Sequence, residues 1–186
     1  KYISRVVIST DSHKIAKEAI KNKADVPFIR PSKLAQPNTP EIQAWRHAIK
    51  NLNKDKDIDF FVSVPTTSPL RKTSDINRCI NKAIKEKLDM VFVVSKSLKN
   101  PYFNILKLNK KKLDIVSGHK KKIFRRQDAP ICYDLTTVCY VFRPDYIMRN
   151  KNIFRGKTGF VLVPKERAID IDDKFDYKIA NFLSSK

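Results

Sequence analysis

The stretch FFVSVPTTSPLRKTSDINRCINKAI, residues 60–84, decides the fold. Phe60 to Val64, apolar but for Ser63, read as a buried strand. Pro65 to Arg71 follow as a loop at the carboxyl end of that strand. Helix resumes after Ser74, where Ile76, Cys79, Ile80, Ala83 and Ile84 fall at i, i+3, i+4, i+7 and i+8. That spacing lines up one apolar stripe. Cys79 therefore reads as a core residue and not as a nucleophile.

Working outward, the same alternation recurs on both sides, which is the pattern of a parallel sheet with crossover helices. Val6, Val7 and Ile8 make a strand ending in Ser9, Thr10, Asp11 and Ser12, and Ile15, Ala16, Ala19 and Ile20 follow at helical spacing. A second strand covers Val26 to Ile29 and stops at Pro31. Thr39 as N-cap and Pro40 at the first helical position open a helix whose stripe is Ile42, Trp45, Ile49 and Leu52. Met90 to Val94 give a further strand. Such units are right-handed, so the loops at the strand carboxyl ends gather along one edge, where open α/β sheets place ligands.

From Ser95 to Pro130 the alternation breaks down into a polar insertion. It contains a hairpin, Phe103 to Leu108 against Leu113 to Val116, turned by Asn109 and lysines. The pattern returns with a strand at Val138 to Phe142, a short helix opened by Pro144 and a strand at Phe160 to Val163. A terminal helix carries Phe175, Ile179, Phe182 and Leu183. The expected fold is a doubly wound, mostly parallel α/β sheet in one domain, 1–186, with a small inserted lobe at 95–130.

With 186 residues, one domain is the natural size. No apolar run approaches the roughly 18 to 20 residues of a membrane span. The three cysteines form no CxxC pair and the three histidines add no metal-ligand spacing, which fits a reduced, cytoplasmic setting. The chain opens on Lys1, runs at once into an apolar strand and has no signal-peptide pattern, so an internal start is expected. The formal net charge of +20 would suit nucleic acid, an anionic membrane or an anionic substrate. Its lysines, however, are scattered over helix faces and short runs (Lys110, Lys111, Lys112; Lys120, Lys121, Lys122) without interleaved aromatics. They read as a solvated surface, and nucleic acid is not the expected partner.

Four segments carry candidate chemistry. Ser9, Thr10 and Asp11 end the first strand, as ligand contacts or as a helix cap. Arg30 and Pro31 precede Leu34 and Ala35; a guanidinium there offers a planar donor fork to phosphate, or is a surface arginine pinned by the proline. Thr67, Ser68, Pro69, Leu70 and Arg71 form a turn fixed by prolines, whose hydroxyls and amides can face a base and ribose. Ile169, Asp170, Ile171 and Asp172 alternate, placing both carboxylates on one face of an extended segment. That pair suits a hard divalent cation, or an acidic helix start with Asp172 or Asp173 as cap.

In order and spacing these segments resemble the CMP-sialic acid synthetase (acylneuraminate cytidylyltransferase) family over essentially the whole chain. Arg30, Pro31, Leu34 and Ala35 are similar to its RPxxLA, Thr67 to Arg71 to its TSPLR loop, and Ile169 to Asp172 to its SIDID motif. The resemblance implies a nucleotide-diphospho-sugar transferase-like fold whose insertion serves dimerisation. It assigns Asp170 and Asp172 to catalytic Mg2+, and Ser9, Thr10, Asp11, Arg30, Thr67, Ser68 and Arg71 to the nucleotide. Arg126 and Gln127 align with the family's RQ pair and Tyr140 with the tyrosine of its NGAIYI strand, so that Arg126, Gln127, Thr136 and Tyr140 would face the sugar. Thr136 and Thr137 stand where relatives carry Asn and Gly, Pro65 where they carry Gln, and Phe103 where some carry Lys. The family's opening ARxGSKxxxxKN loop has no counterpart here, so the chain reads as N-terminally incomplete and by itself inactive.

The implied reaction takes CTP and a sialic-acid-like nonulosonic acid, an acidic nine-carbon sugar, to the CMP-sugar and pyrophosphate, for cell-surface glycans such as lipopolysaccharide or capsule. A cytoplasmic homodimer with no membrane attachment is expected. Alternatives are another keto-acid sugar, GTP in place of CTP, a basic nucleic-acid-binding module, and a non-catalytic assembly partner.

Overall fold

The computed structural model describes residues 2–52, 58–117, 123 and 125–185. Gly118 and the Lys120, Lys121, Lys122 run lie outside the described residues. Five α-helices are described: α1 (His13–Lys21), α2 (Glu41–Leu52), α3 (Thr73–Lys85), α4 (Pro144–Arg149) and α5 (Lys174–Ser184). Six strands accompany them: β1 (Phe61–Ser63), β2 (Met90–Lys96), β3 (Leu106–Asn109), β4 (Lys112–Ile115), β5 (Tyr133–Phe142) and β6 (Thr158–Leu162). Four form a sheet in the order β1-β5-β2-β6, and β3 pairs with β4 alone. The sheet is mixed, because β1 and β5 run antiparallel, with Phe61 opposite Phe142, Val62 opposite Val141 and Ser63 opposite Tyr140.

The two strands expected at Val6 to Ile8 and Val26 to Ile29 shrink to one parallel bridge, Val7 to Asp25, closed by Ile8 N–H donating to Asp25 O at 2.9 Å. The next rung would need an N–H from residue 27. Pro27 has none, so the ladder stops. Beyond the bridge, Arg30 N–H still reaches Thr10 O at 2.8 Å.

The chain divides into two compact units, Lys1–Val64 with Thr73–Phe92 and Cys139–Gly159, and Pro65–Lys72 with Val93–Val138 and Phe160–Lys186. The first is organised around aromatic rings. Phe142 is fully buried, stacked on Phe61 at 5.1 Å and packed on Trp45 at 4.8 Å, while Trp45 also meets Tyr140 at 5.2 Å. The indole N–H donates to Ser63 Oγ at 3.0 Å, which satisfies the one polar atom that Trp45 buries. On α3, Cys79, Ile80 and Ala83 are buried as the spacing requires, but Ile84 is exposed. The hydrogen bond with Cys139, followed by burial, raises the Cys79 thiol pKa, so it stays protonated, as a core thiol does. Asp75 was not legible as a core residue; it is fully buried in the first turn of α3 and paired with Arg78 at 3.0 Å.

Gly156 answers to close approach. A Cβ there would lie 2.3 Å from Tyr146 Cε2 and 2.8 Å from Asp89 Oδ2, and its N–H donates to the Tyr146 hydroxyl at 3.0 Å. Gly156→Ala must displace a buried ring, and is expected to cost about 1 to 3 kcal/mol, read as a lowered denaturation midpoint at unchanged m-value.

In the second unit Val163 N–H donates to Val94 O at 2.9 Å. The hairpin is shorter than its sequence pattern, and its turn places Lys110 at φ 55°. On α5 only Ala180 is buried; Phe175 and Phe182, which the sequence places on the terminal helix, are 68% and 59% exposed. Ile15 and Ile20 on α1 are likewise exposed. Both helices still form because each is capped: Ser12 accepts from Ile15 N–H, and Asp173 and Asp176 make a reciprocal capping box at the start of α5. No described helix is long and apolar enough to cross a membrane.

Candidate active site

The candidate residues fall in two groups, one in each unit. In the first, the Arg30 guanidinium lies 3.6 Å from the Asp11 carboxylate, and the Arg30 backbone is tied to Thr10 O. Of the run Ser9 to Ser12 it is Ser12 that caps α1, and not Ser9, Thr10 or Asp11; Thr10 Oγ1 accepts from Ser12 N–H at 3.1 Å. Thr10 is buried. Ser9 Oγ and Arg30 Nε are buried with no hydrogen-bond partner among the described residues. An unpaired buried polar atom costs about 1 to 3 kcal/mol, so each of these two atoms calls for an explanation, and a bound polar group is one.

His47, midway along α2, belongs to the same neighbourhood and had no sequence signal beyond being a lone histidine in a helix. Its ring lies edge-on to Phe28 at 5.1 Å. Burial, and secondarily the charge of Arg30, lower its pKa, so the ring is neutral at neutral pH.

In the second group the loop that begins at Pro65 is closed on itself, because the Arg71 guanidinium donates to Pro65 O. Ser68 is fully buried, and its hydroxyl is hydrogen-bonded to that of Thr137 at 2.6 Å. Thr67 remains exposed, and its carbonyl accepts the N–H of Ile171 at 2.8 Å. That bond joins the Thr67–Arg71 loop to the Ile169–Asp172 segment, about a hundred residues further along the chain. At that junction Asp170 Oδ1 is buried with no hydrogen-bond partner among the described residues, while Asp172 is exposed.

Helix capping accounts for neither carboxylate. Asp173 accepts from Phe175 N–H at 2.7 Å and Asp176 N–H at 2.9 Å, and Asp176 accepts from Asp172 N–H and Asp173 N–H, each at 3.2 Å. Among the described residues no three His, Cys, Asp or Glu side chains are grouped to hold a metal. Asp170 and Asp172 are therefore at most a two-carboxylate site. A hard cation completed by phosphate oxygens fits such a donor set, and the unpaired Asp170 Oδ1 has the chemistry to be its ligand.

The four residues assigned to the sugar are dispersed. Arg126 and Gln127 lie in an exposed 3-10 turn, Arg126–Asp128, held by Arg125 donating twice to the Asp128 carboxylate, at 2.9 and 3.0 Å. Thr136 is buried and spends its hydroxyl proton on Val93 O at 2.9 Å, leaving only lone pairs for a sugar. Tyr140 belongs to the aromatic core of the first unit.

No family model matches the chain. It is 31% identical over 187 residues to the CMP-N,N'-diacetyllegionaminic acid synthase of Campylobacter jejuni, across 100% of this chain and 79% of that protein. To post-translational flagellin modification protein B of Campylobacter coli it is 30% identical over 185 residues, across 98% of this chain and 78% of that protein. Among solved structures, a CMP:2-keto-3-deoxy-manno-octonic acid synthetase complexed with CTP superposes with a TM-score of 0.67 at 7% identity, over 99% of this chain and 83% of that one. At that identity it is the fold that is shared. With nearly a third of its residues identical to a CMP-sugar-acid synthase along its whole length, the chain belongs to the CMP-sialic acid synthetase (acylneuraminate cytidylyltransferase) family.

Proposed function

We propose that the protein activates a nonulosonic acid with CTP, giving the CMP-sugar and pyrophosphate. The observation that carries this reading is the buried Asp170 Oδ1, without a hydrogen-bond partner among the described residues, on a segment hydrogen-bonded through Ile171 to Thr67 of the Thr67–Arg71 loop. The sugar's anomeric oxygen attacks the α-phosphorus, the bond to the β-phosphate oxygen breaks, and the hydroxyl proton passes to solvent. Little covalent work falls to the protein, so its task is positioning and charge stabilisation.

Arg30 supplies a donor fork to the nucleotide's anionic end, with Ser9, Thr10 and Asp11 beside it. Thr67, Ser68 and Arg71 hold the base and ribose side. Arg126 pairs with the sugar carboxylate, and Gln127, Thr136 and Tyr140 are assigned to the sugar by the same family resemblance. Asp170 and Asp172 would hold Mg2+, which when bound neutralises charge on the phosphates. The test is pyrophosphate release by the full-length protein with each of CTP, GTP, UTP and ATP, against a panel of keto-acid sugars. A diacetylated nine-carbon acid is the first to try, given the Campylobacter jejuni synthase. CTP-specific turnover is expected; turnover with GTP alone would replace the base assignment, and none with any pair would sink the reading.

Homodimerisation through 95–130 is the second part of the proposal, and a cytoplasmic location, where CTP is made, goes with it. It is supported by the hairpin register: Leu106 opposite Ile115 and Leu108 opposite Leu113 put apolar side chains on one face. Leu108 and Leu113 are 73% and 65% exposed. Leu108→Glu buries a charge in any interface there and is expected to shift the full-length protein from dimer to monomer in sedimentation at micromolar concentration, with its thermal midpoint kept. A wild-type monomer at that concentration would refute the dimer.

A further inference from the structure

His47 has a polar atom that none of the described residues uses. Its Nδ1 is buried and has no hydrogen-bond partner among the described residues, as with Ser9 Oγ and Arg30 Nε in the same unit. Nε2 is engaged: the Asn51 side-chain amide, a donor, stands 3.3 Å from it, and the same Asn51 nitrogen also donates to His47 O at 2.8 Å. With Nε2 accepting, the neutral ring carries its hydrogen on Nδ1. The unspent atom is therefore an N–H donor, buried beside a permanent cation.

The charge environment selects what that donor can meet. Burial and the Arg30 guanidinium both disfavour protonation of the ring. A phosphate-binding histidine would gain from being an imidazolium, whereas a neutral N–H suits an uncharged acceptor such as a carbonyl or hydroxyl oxygen. Arg30 already offers the donors for charge. Phe28, edge-on at 5.1 Å, limits how the ring can turn, so the direction of the N–H is held before anything binds.

We infer that His47 is a nucleoside-positioning residue, whose Nδ1–H donates to an uncharged oxygen of the base or ribose while Arg30 takes the charged end. The inference rests on the reading of Arg30 as a nucleotide contact. It adds a contact that CMP and CTP share and that tripolyphosphate lacks.

The experiment is calorimetric titration of the full-length protein, wild type, His47→Phe and His47→Gln, with CMP, CTP and inorganic tripolyphosphate. His47→Phe keeps an aromatic ring against Phe28 but has no donor, and is expected to weaken CMP and CTP by the same factor, roughly tenfold. Tripolyphosphate affinity stays unchanged. His47→Gln restores a side-chain N–H and is expected to recover most of the loss. In turnover, KM for CTP rises in His47→Phe while kcat stays within about twofold, as for a uniform binding contact. Asn51→Leu leaves His47 in place but removes the group that holds its tautomer. It is expected to weaken CMP and CTP by a smaller common factor, so the inference stays testable if His47→Phe folds poorly. Wild-type affinity of His47→Phe for CMP and CTP would overturn the inference, as would a loss confined to CTP and tripolyphosphate. In the event that His47→Phe does not fold, unchanged affinity in Asn51→Leu would do so. Failure of the wild-type protein to bind CMP or CTP at all is a distinct result, which removes the cytidylyltransferase reading itself.

Discussion

Asp170→Asn and Asp172→Asn in the full-length protein are expected to lower turnover by roughly a hundredfold or more, with little change in thermal midpoint. Each substitution removes one hard anionic oxygen donor and keeps the shape of the side chain. At Asp170 the buried Oδ1 has no partner among the described residues, so the fold loses no hydrogen bond when its charge goes. Asp173→Ala supplies the contrast. It removes the side chain that accepts from Phe175 N–H and Asp176 N–H, and should cost about 1 kcal/mol of stability while leaving turnover near normal. Turnover across a magnesium titration, with the midpoint of each variant, separates the two effects. Near-normal turnover of both asparagine variants at every magnesium concentration would refute the metal assignment.

Phe142→Ala is expected to destabilise the protein by about 3 to 5 kcal/mol, a large part of the roughly 5 to 15 kcal/mol that holds a domain together. Its ring is fully buried between Phe61 and Trp45. Alanine leaves a cavity walled by aromatic rings, which cannot collapse without breaking the Trp45 to Ser63 hydrogen bond or the β1 to β5 register. Chemical denaturation would show the loss as a lower midpoint. A change below about 1 kcal/mol would mean that the aromatic cluster is not the core of the first unit.

How far the fold could be read depended on whether the deciding physics was local. The helix stripes at Trp45 and Ile49, and at Cys79, Ile80 and Ala83, were legible because periodicity alone fixes which side chains share a face. The strand at Val6 to Ile8 was read from its apolar run, but the pairing failed at Pro27, whose missing N–H matters only once a partner strand is beside it. Phe175 and Phe182 sit at helical spacing yet are exposed, since spacing says that residues share a face and not what covers it. Asp75 was missed because a lone carboxylate in a first turn usually faces water.

The candidate site divides in the same way. Sequence by itself determined the residue types and their order: Ser9 to Asp11, Arg30 and Thr67 to Arg71 after apolar segments, and Asp170 with Asp172 beyond the turn at Pro164. It left open whether Asp172 or Asp173 capped the last helix, since either spacing is competent. Only the tertiary structure decided that Asp173 is the cap, that Ile171 N–H pairs with Thr67 O, and that Ser9 Oγ, Arg30 Nε, His47 Nδ1 and Asp170 Oδ1 find no partner among the described residues. The reason is physical: apolar periodicity is a property of neighbouring residues, whereas a polar atom is satisfied or left over according to which distant segment comes to lie against it.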